Sequence, residues 1–182
     1  MIENSDRTFK ANYKAELTSN PQKARKVLCF PGAIEDAWVD GIGVEFFPND
    51  NEAWYGTFAS DELSPNAVSL LQVLPDTQNA LVVSAGAGYV VNVHNPKKWS
   101  EIPVRPIMGV LTDHANCAVY IWDFVRFICL GAEGLRWKTD RISWDGIEDV
   151  HVNGNILDAL VWNAPKKMYD RIEINTKSGS LL

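Results

Sequence analysis

The chain has 182 residues, which is enough for one domain with a full core and rather short for two. Hydrophobic residues make up 46% and charged residues 22% of the sequence, which argues against a disordered or fibrous protein. Acidic residues outnumber basic residues by 23 to 17, a formal net charge of -6, so nucleic acid is not an expected partner.

Residues 1–26 form a polar and mildly basic segment. The sequence predicts either a frayed arm here or a short helix near Phe9 to Leu17. The segment has no apolar stretch of signal-peptide length, and the chain has no run of about 18 apolar residues such as a membrane span needs. We therefore expect a cytoplasmic protein with no membrane partner, in which residues 27–182 form a single all-β domain.

From Val27 onward, short runs rich in β-branched and aromatic residues are interrupted by Gly, Pro, Asn or Asp, which is typical of strands and turns. Beyond residue 26, no window keeps a 3.6-residue apolar period over ten or more positions. The run 67–74 is the most ambiguous, since a short buried strand and a helical piece look alike there. The predicted strands are VLCF (27–30), IGVEFF (42–47), AWYGTF (53–58), AVSLLQVL (67–74), ALVVS (80–84), YVVNV (89–93), IMGVL (107–111), CAVYIW (117–122), FVRFICL (124–130), LRWKT (135–139), IEDVHV (147–152), ILDALVW (156–162) and YDRIEI (169–174).

Two segments rich in glycine or proline are predicted to shape the sheets. SAGAGY (84–89) lies between two β runs and lacks the spacing and lysine of a phosphate loop, so we interpret it as a hairpin turn. WSEIPVRPIMG (99–109) contains two prolines, which predicts an extended connection or an edge strand.

Two repeated patterns bear on the architecture. The dipeptide Trp-Asp occurs at Trp122 and Trp144, only 22 residues apart and without any Gly-His, so we interpret both copies as strand ends rather than propeller repeats. The segments that start at Val73 and Val110 share V-L-x-D-x-x-N-x-x-V at an offset of 37 residues. This similarity does not continue into a third copy, so it indicates a duplicated motif.

Together these elements predict an all-β fold of antiparallel hairpins, packed as a two-layer sandwich or a partly closed barrel. A small propeller-like arrangement of repeated hairpins is the second candidate, because of the 37-residue offset.

No metal or cofactor is predicted. The cysteines include no CxxC pair, which indicates free thiols, and the histidines lack the HxH or HExxH spacing of a metal site. The cysteines are Cys29, Cys117 and Cys129, and the histidines are His94, His114 and His151.

The clearest candidate for chemistry is the Asn153-Gly154 hairpin. If these two residues occupy the centre of a type I′ turn, Asp149 lies opposite Asp158, with His151 one pair away on the same face. Two close carboxylates beside a histidine could serve acid-base chemistry. The alternatives are that both carboxylates are screened by water or that Arg141 or Arg171 lies between them.

Four tryptophans lie near turns or strand ends and are candidates for a ligand-binding rim, although core packing is the default interpretation for each one taken singly. They are Trp99, Trp137, Trp144 and Trp162.

Two functions remain open. The first is a non-catalytic binding module that holds a protein partner or small ligand through an aromatic-rich rim or a sheet edge. The alternative is a small hydrolase or lyase that uses an acid-base carboxylate pair on a hairpin face.

Overall fold

The structure is a computed structural model that describes residues 9–61 and 63–182. The chain divides into two compact units, Met1–Pro106 (unit 1) and Ile107–Leu182 (unit 2), and each is described by itself. The division does not show whether the units fold separately, so the single domain expected from residue 27 stays a prediction. No helix forms in the part of the chain that the structure describes.

Unit 1 begins with a five-stranded sheet, sheet A. Its strands are β1 (Tyr13–Leu17), β2 (Lys26–Phe30), β3 (Ile34–Glu35), β4 (Gly41–Pro48) and β5 (Trp54–Ala59). They lie in the order β1-β4-β5-β2-β3. Strands β2 and β5 are parallel, and the other neighbours are antiparallel.

Strand β1 replaces the short helix or frayed arm expected near Phe9 to Leu17. Tyr13 and Ala15 are buried whereas Lys14 and Glu16 are exposed, an alternation with a period of two. The expectation of a helix was wrong because this alternation lets the segment pair with β4 and bury one face.

The second sheet of unit 1, sheet B, is a meander of consecutive antiparallel strands. Its strands are β6 (Leu70–Val73), β7 (Asn79–Ser84), β8 (Ala87–Asn92) and β9 (Trp99–Glu101). The turn between β7 and β8 is formed by Ala85 and Gly86, both with positive φ, which confirms the hairpin predicted for SAGAGY.

Sheets A and B enclose the core of unit 1, which is rich in aromatic residues. Phe30 stacks on Phe58 with ring centroids 4.7 Å apart, and Phe46 stacks on Trp54 at 4.2 Å. These large apolar rings supply much of the area that stabilises the unit.

Unit 2 contains a four-stranded meander, sheet C, and a three-stranded meander, sheet D, both fully antiparallel. Buried residues of both sheets form one core, which includes Tyr120, Leu157 and Ile174. The strands of sheet C are β10 (Gly109–Asp113), β11 (Ala118–Trp122), β12 (Phe127–Gly131) and β13 (Gly134–Lys138). Those of sheet D are β14 (Ile147–Asn153), β15 (Ile156–Asn163) and β16 (Met168–Asn175).

The all-β class with antiparallel hairpins is confirmed, and in each unit two sheets share one core as in a sandwich. All thirteen predicted strands overlap an observed strand; of the three others, β1 and β3 were not predicted, and β9 falls in the predicted edge segment. None of the sheets formed by residues 9–61 and 63–182 closes into a barrel.

The 37-residue similarity marks the same connection in two successive sheets. Asp76 lies between β6 and β7, and Asn79 is the first residue of β7. Asp113 is the last residue of β10, and Asn116 lies between β10 and β11. In both turns the aspartate accepts hydrogen bonds from the backbone and side-chain nitrogens of the asparagine. The shared residues therefore close turns through their own side chains. A propeller-like arrangement stays a prediction.

A buried carboxylate holds the segment that precedes β2. Glu45, on β4, is 3% exposed. Its carboxylate accepts hydrogen bonds from the backbone N–H groups of Gln22, Lys23 and Ala24, with N···O distances of 3.1, 2.6 and 2.7 Å. Burial alone would raise the pKa of Glu45, but the three donors outweigh it and hold the pKa below its ordinary value.

We expect Glu45→Gln to destabilise this region by about 2 kcal/mol, because an amide carries no charge and offers one acceptor oxygen instead of two. Amide hydrogen exchange at Lys23 and Ala24 measures the loss of protection. Since the folded pKa is lowered, the contribution of Glu45 is present above the unfolded value of about 4.3 and is lost as the pH falls through the folded value.

Glu16→Gln is the matched control, since Glu16 is exposed on the neighbouring strand. Equal loss of protection in both variants would contradict the role of Glu45.

Candidate functional site

The hairpin between β14 and β15 has a different register from the one that the sequence predicts. Asn153 pairs with Ile156, so the central residues are Gly154 and Asn155. Only Gly154 of these two has a positive φ, +60°, which is the pattern of a type II′ turn rather than type I′.

Contacts from outside the hairpin hold its tip. The side-chain nitrogen of Asn116 donates to the Gly154 carbonyl at 2.8 Å, and the N–H of Thr176 donates to the Asn155 carbonyl at 3.0 Å. Asp113 orients Asn116 by accepting its side-chain N–H at 2.7 Å. These hydrogen bonds join residues that are far apart in the sequence, so the turn propensity of Asn-Gly does not predict them. They explain the shifted register.

The predicted direct pairing of Asp149 with Asp158 is therefore wrong. His151 pairs with Asp158, and the ladder is interrupted between Glu148 and His151. Asp149 lies in this bulge with φ of +50°. The bulge turns its side chain out of the regular alternation of the strand.

The two carboxylates are nevertheless brought together by Arg171 of β16. The Arg171 Nη2 atom is 2.6 Å from the Asp149 carboxylate, and its Nη1 atom donates to Asp158. The His151 Nε2 atom lies 2.7 Å from the other Asp149 oxygen. Of the two arginines considered from the sequence, Arg171 occupies the position between the carboxylates.

Ion pairing with Arg171 offsets part of the negative charge of this cluster. Hydrogen bonds from Arg171 and then His151 hold the pKa of Asp149 below its ordinary value, and Asp149 in turn raises the pKa of Arg171. The two carboxylates thus share a guanidinium rather than a proton. General acid catalysis near neutral pH needs a carboxyl with a raised pKa, so Asp149 is poorly suited to it.

Two of the four candidate tryptophans pack against the cores of their units. Trp99, on β9, is partly buried and packs edge-to-face on Phe30 with a centroid distance of 5.8 Å. Trp137, on β13, is 8% exposed, stacks on Tyr120, and donates from its indole N–H to the carbonyl of Thr176 at 2.8 Å. Both rings are held by core contacts of their own units.

Trp144 and Trp162 are connected through one loop of unit 2. The Trp144 N–H donates to the Trp162 carbonyl at 3.0 Å. The buried hydroxyl of Ser143 donates to the Gly146 carbonyl at 2.6 Å and accepts from the Trp162 N–H at 3.1 Å. The N–H of Gly146 donates to the Phe124 carbonyl at 2.9 Å. These bonds fix the loop, while the side chain of Trp144 remains 56% exposed.

Arg141 lies beside this exposed ring in a fixed orientation. Its guanidinium carbon is 5.8 Å from the centroid of Trp144. Its Nε and Nη2 atoms donate to the carbonyls of Ser143 and Trp144 at 3.1 and 2.7 Å. Arg141, Ser143 and Trp144 line a cavity of about 340 Å³ together with Ile142.

Trp162, which is partly buried on β15, contacts a tyrosine of β16. Tyr169 packs edge-to-face on Trp162 with a centroid distance of 5.2 Å, and its hydroxyl donates to Glu148 at 2.6 Å. This hydrogen bond raises the pKa of Tyr169. We call Arg141, Trp144, Trp162 and Tyr169 the Trp144 rim.

The sequence named only the two tryptophans of this rim. From the sequence, Arg141 is predicted only as a possible partner of the aspartates, and Tyr169 is not predicted to have a role. The available signal was the S-W-D-G turn, in which an exposed tryptophan follows a polar residue; nothing local connects it with β16. Trp38 of unit 1, which is 65% exposed, was also missed.

No described residues form a group of three or more His, Cys, Asp or Glu side chains placed to hold a metal ion. His94 instead lies 2.9 Å from the side-chain oxygen of Asn12, and all three cysteines are free. Residues 9–61 and 63–182 also contain no helix able to cross a bilayer.

Comparison with known proteins gives a likeness of fold alone. No protein-family model and no curated protein sequence matches the chain. A structural match is found with dihydro-heme d1 dehydrogenase NirN in complex with DHE, with a TM-score of 0.51 and 14% sequence identity. The match covers 77% of this chain and 31% of the dehydrogenase chain.

We expect Arg171→Gln to raise the pKa of Asp149 towards the ordinary aspartate value, since its principal hydrogen-bond donor is lost. A carboxyl titration followed by nuclear magnetic resonance measures the change. Lys166→Gln is the control of equal charge, because Lys166 pairs with Asp170 at 2.8 Å and not with Asp149. The interpretation fails if Asp149 of the unaltered protein titrates above the ordinary aspartate range.

Proposed function

We propose that the chain is a non-catalytic binding module that holds its partner or ligand at the Trp144 rim. The observation that carries the proposal is the exposed ring of Trp144 beside an arginine whose orientation is fixed by two carbonyls. Tryptophan and arginine contribute strongly to interfaces because they bury a large area at a small loss of freedom once they are pre-oriented.

The charge arrangement of the hairpin favours binding over catalysis. An acid-base pair that activates water or removes a proton needs one carboxyl whose pKa is raised, so that it is protonated near neutral pH. Both carboxylates instead pair with Arg171, and Arg171 together with His151 holds the pKa of Asp149 below its ordinary value. The alternative of a hydrolase or lyase built on Asp149, Asp158 and His151 is therefore the weaker proposal. A cytoplasmic location stays a prediction that rests on the free thiols.

The test is affinity purification from the native cell extract with the full chain as bait. Quantitative mass spectrometry measures co-purifying proteins and retained small molecules. We expect Trp144→Ala to reduce the recovered partner about ten-fold, as removal of a central interface tryptophan does.

Trp38→Ala is the matched control, because Trp38 has a similar exposed fraction in unit 1. The variant with Asp149→Asn and Asp158→Asn should also retain the partner. Loss of the partner in the double variant, with retention in Trp144→Ala, would overturn the proposal.

A further inference from the structure

Arg141 and Trp144 of the Trp144 rim lie in an acidic segment. Residues 140–149, DRISWDGIED, carry four carboxylates and one guanidinium. Of the four, Asp149 is already paired with Arg171 at 2.6 Å. Asp145 and Glu148 are exposed next to the rim, so the local potential is negative.

Two contacts place these carboxylates beside the aromatic rings. Glu148 accepts the Tyr169 hydroxyl at 2.6 Å. Asp145 directly follows Trp144 and precedes Gly146, and a Cβ atom at Gly146 would lie 3.2 Å from the same hydroxyl. Glu148 and the backbone next to Asp145 therefore both lie beside the Tyr169 hydroxyl, and the exposed Trp144 directly precedes Asp145 in the chain.

Arg141 does not reverse this potential. It is the single cation of residues 140–149, and two of its N–H groups already donate to loop carbonyls. Lys166, on the turn that leads to β16, is paired with Asp170 at 2.8 Å. An anionic ligand would have to approach the carboxylates of Asp145 and Glu148.

A cationic ligand would complement both the indole ring of Trp144 and the neighbouring carboxylates. The face of an indole ring attracts guanidinium and ammonium groups, and carboxylates at its margin add charge complementarity. Arg141 accounts for one cation near the ring, and the 56% exposed fraction of Trp144 leaves area for a second. The adjoining cavity of about 340 Å³ has room for a long side chain.

We propose that the occupant of the Trp144 rim is a basic segment of a partner protein, whose arginine side chain stacks on Trp144 and pairs with Asp145 and Glu148. This inference rests on the proposed binding function and specifies the chemical class of the partner.

The experiment uses the full chain and two synthetic peptides of eight residues, one alternating Arg with Gly and one alternating Glu with Gly, both with blocked termini. Indole N–H resonances report on the seven tryptophans, and Trp144→Phe assigns the resonance of Trp144. We expect the arginine peptide to shift this resonance in a saturable manner that weakens with added salt.

Variants separate the local surface from overall charge. Because Trp144→Ala has no Trp144 resonance, calorimetric titration measures the affinity of the variants for the arginine peptide. This affinity should fall about ten-fold in Trp144→Ala and about three-fold in Asp145→Asn. Asp50→Asn removes one charge from an exposed position in unit 1 and should leave the affinity unchanged. An equal effect of Asp50→Asn and Asp145→Asn would overturn the inference, because it would show a response to net charge.

The remaining outcomes distinguish this inference from the proposed function. A shift of the Trp144 resonance by the glutamate peptide alone would overturn the basic partner and leave the rim as a binding site. If neither peptide shifts this resonance, the inference is wrong. The proposed function is then decided separately by the capture experiment with Trp144→Ala and Trp38→Ala.

Discussion

The buried hydroxyl of Ser143 is the small group on which the candidate site depends. It bonds to the Gly146 carbonyl and the Trp162 N–H, so it closes the loop and attaches it to β15 at the same time. A polar group that is 3% exposed must find partners, because an unpaired buried hydroxyl costs about 1–3 kcal/mol. This requirement holds the backbone of the loop still while the ring of Trp144 faces solvent. An aromatic side chain on a fixed backbone loses little freedom when it binds.

The two polar clusters of unit 2 differ in which charged groups remain without an ion-pair partner. Around Arg171, the guanidinium joins Asp149 and Asp158, so the opposing charges are already satisfied. Around Trp144, Arg141 donates to carbonyls rather than carboxylates, and Asp145 has no ion-pair partner among the described residues. Charge that remains unpaired on the surface can be used by a partner. This contrast supports the proposal of binding at the rim rather than chemistry at the hairpin.

The likeness to a dehydrogenase domain bears on architecture and not on activity. A match at 14% identity shows a similar fold and carries no function across. The duplicated turn illustrates the same separation within this chain. Asp76 with Asn79 and Asp113 with Asn116 close equivalent connections, yet only Asn116 is also used to hold the Gly154 carbonyl of another sheet. A repeated structural element acquires a different role through the contacts around it.

The sequence by itself determined the strands and most of the turns, because alternation of apolar and polar residues and the chemistry of glycine and asparagine act over a few neighbours. It did not reveal β1, because the alternation of apolar and polar residues in YKAEL is short and lies within a polar segment of the chain. The tertiary structure decided the register at Gly154 through Asn116 and Thr176. It also decided that Trp137 is packed in a core while Trp144 is exposed, since burial depends on which sheet lies opposite a residue. That information is carried by contacts between segments far apart in the chain, and no local pattern contains it.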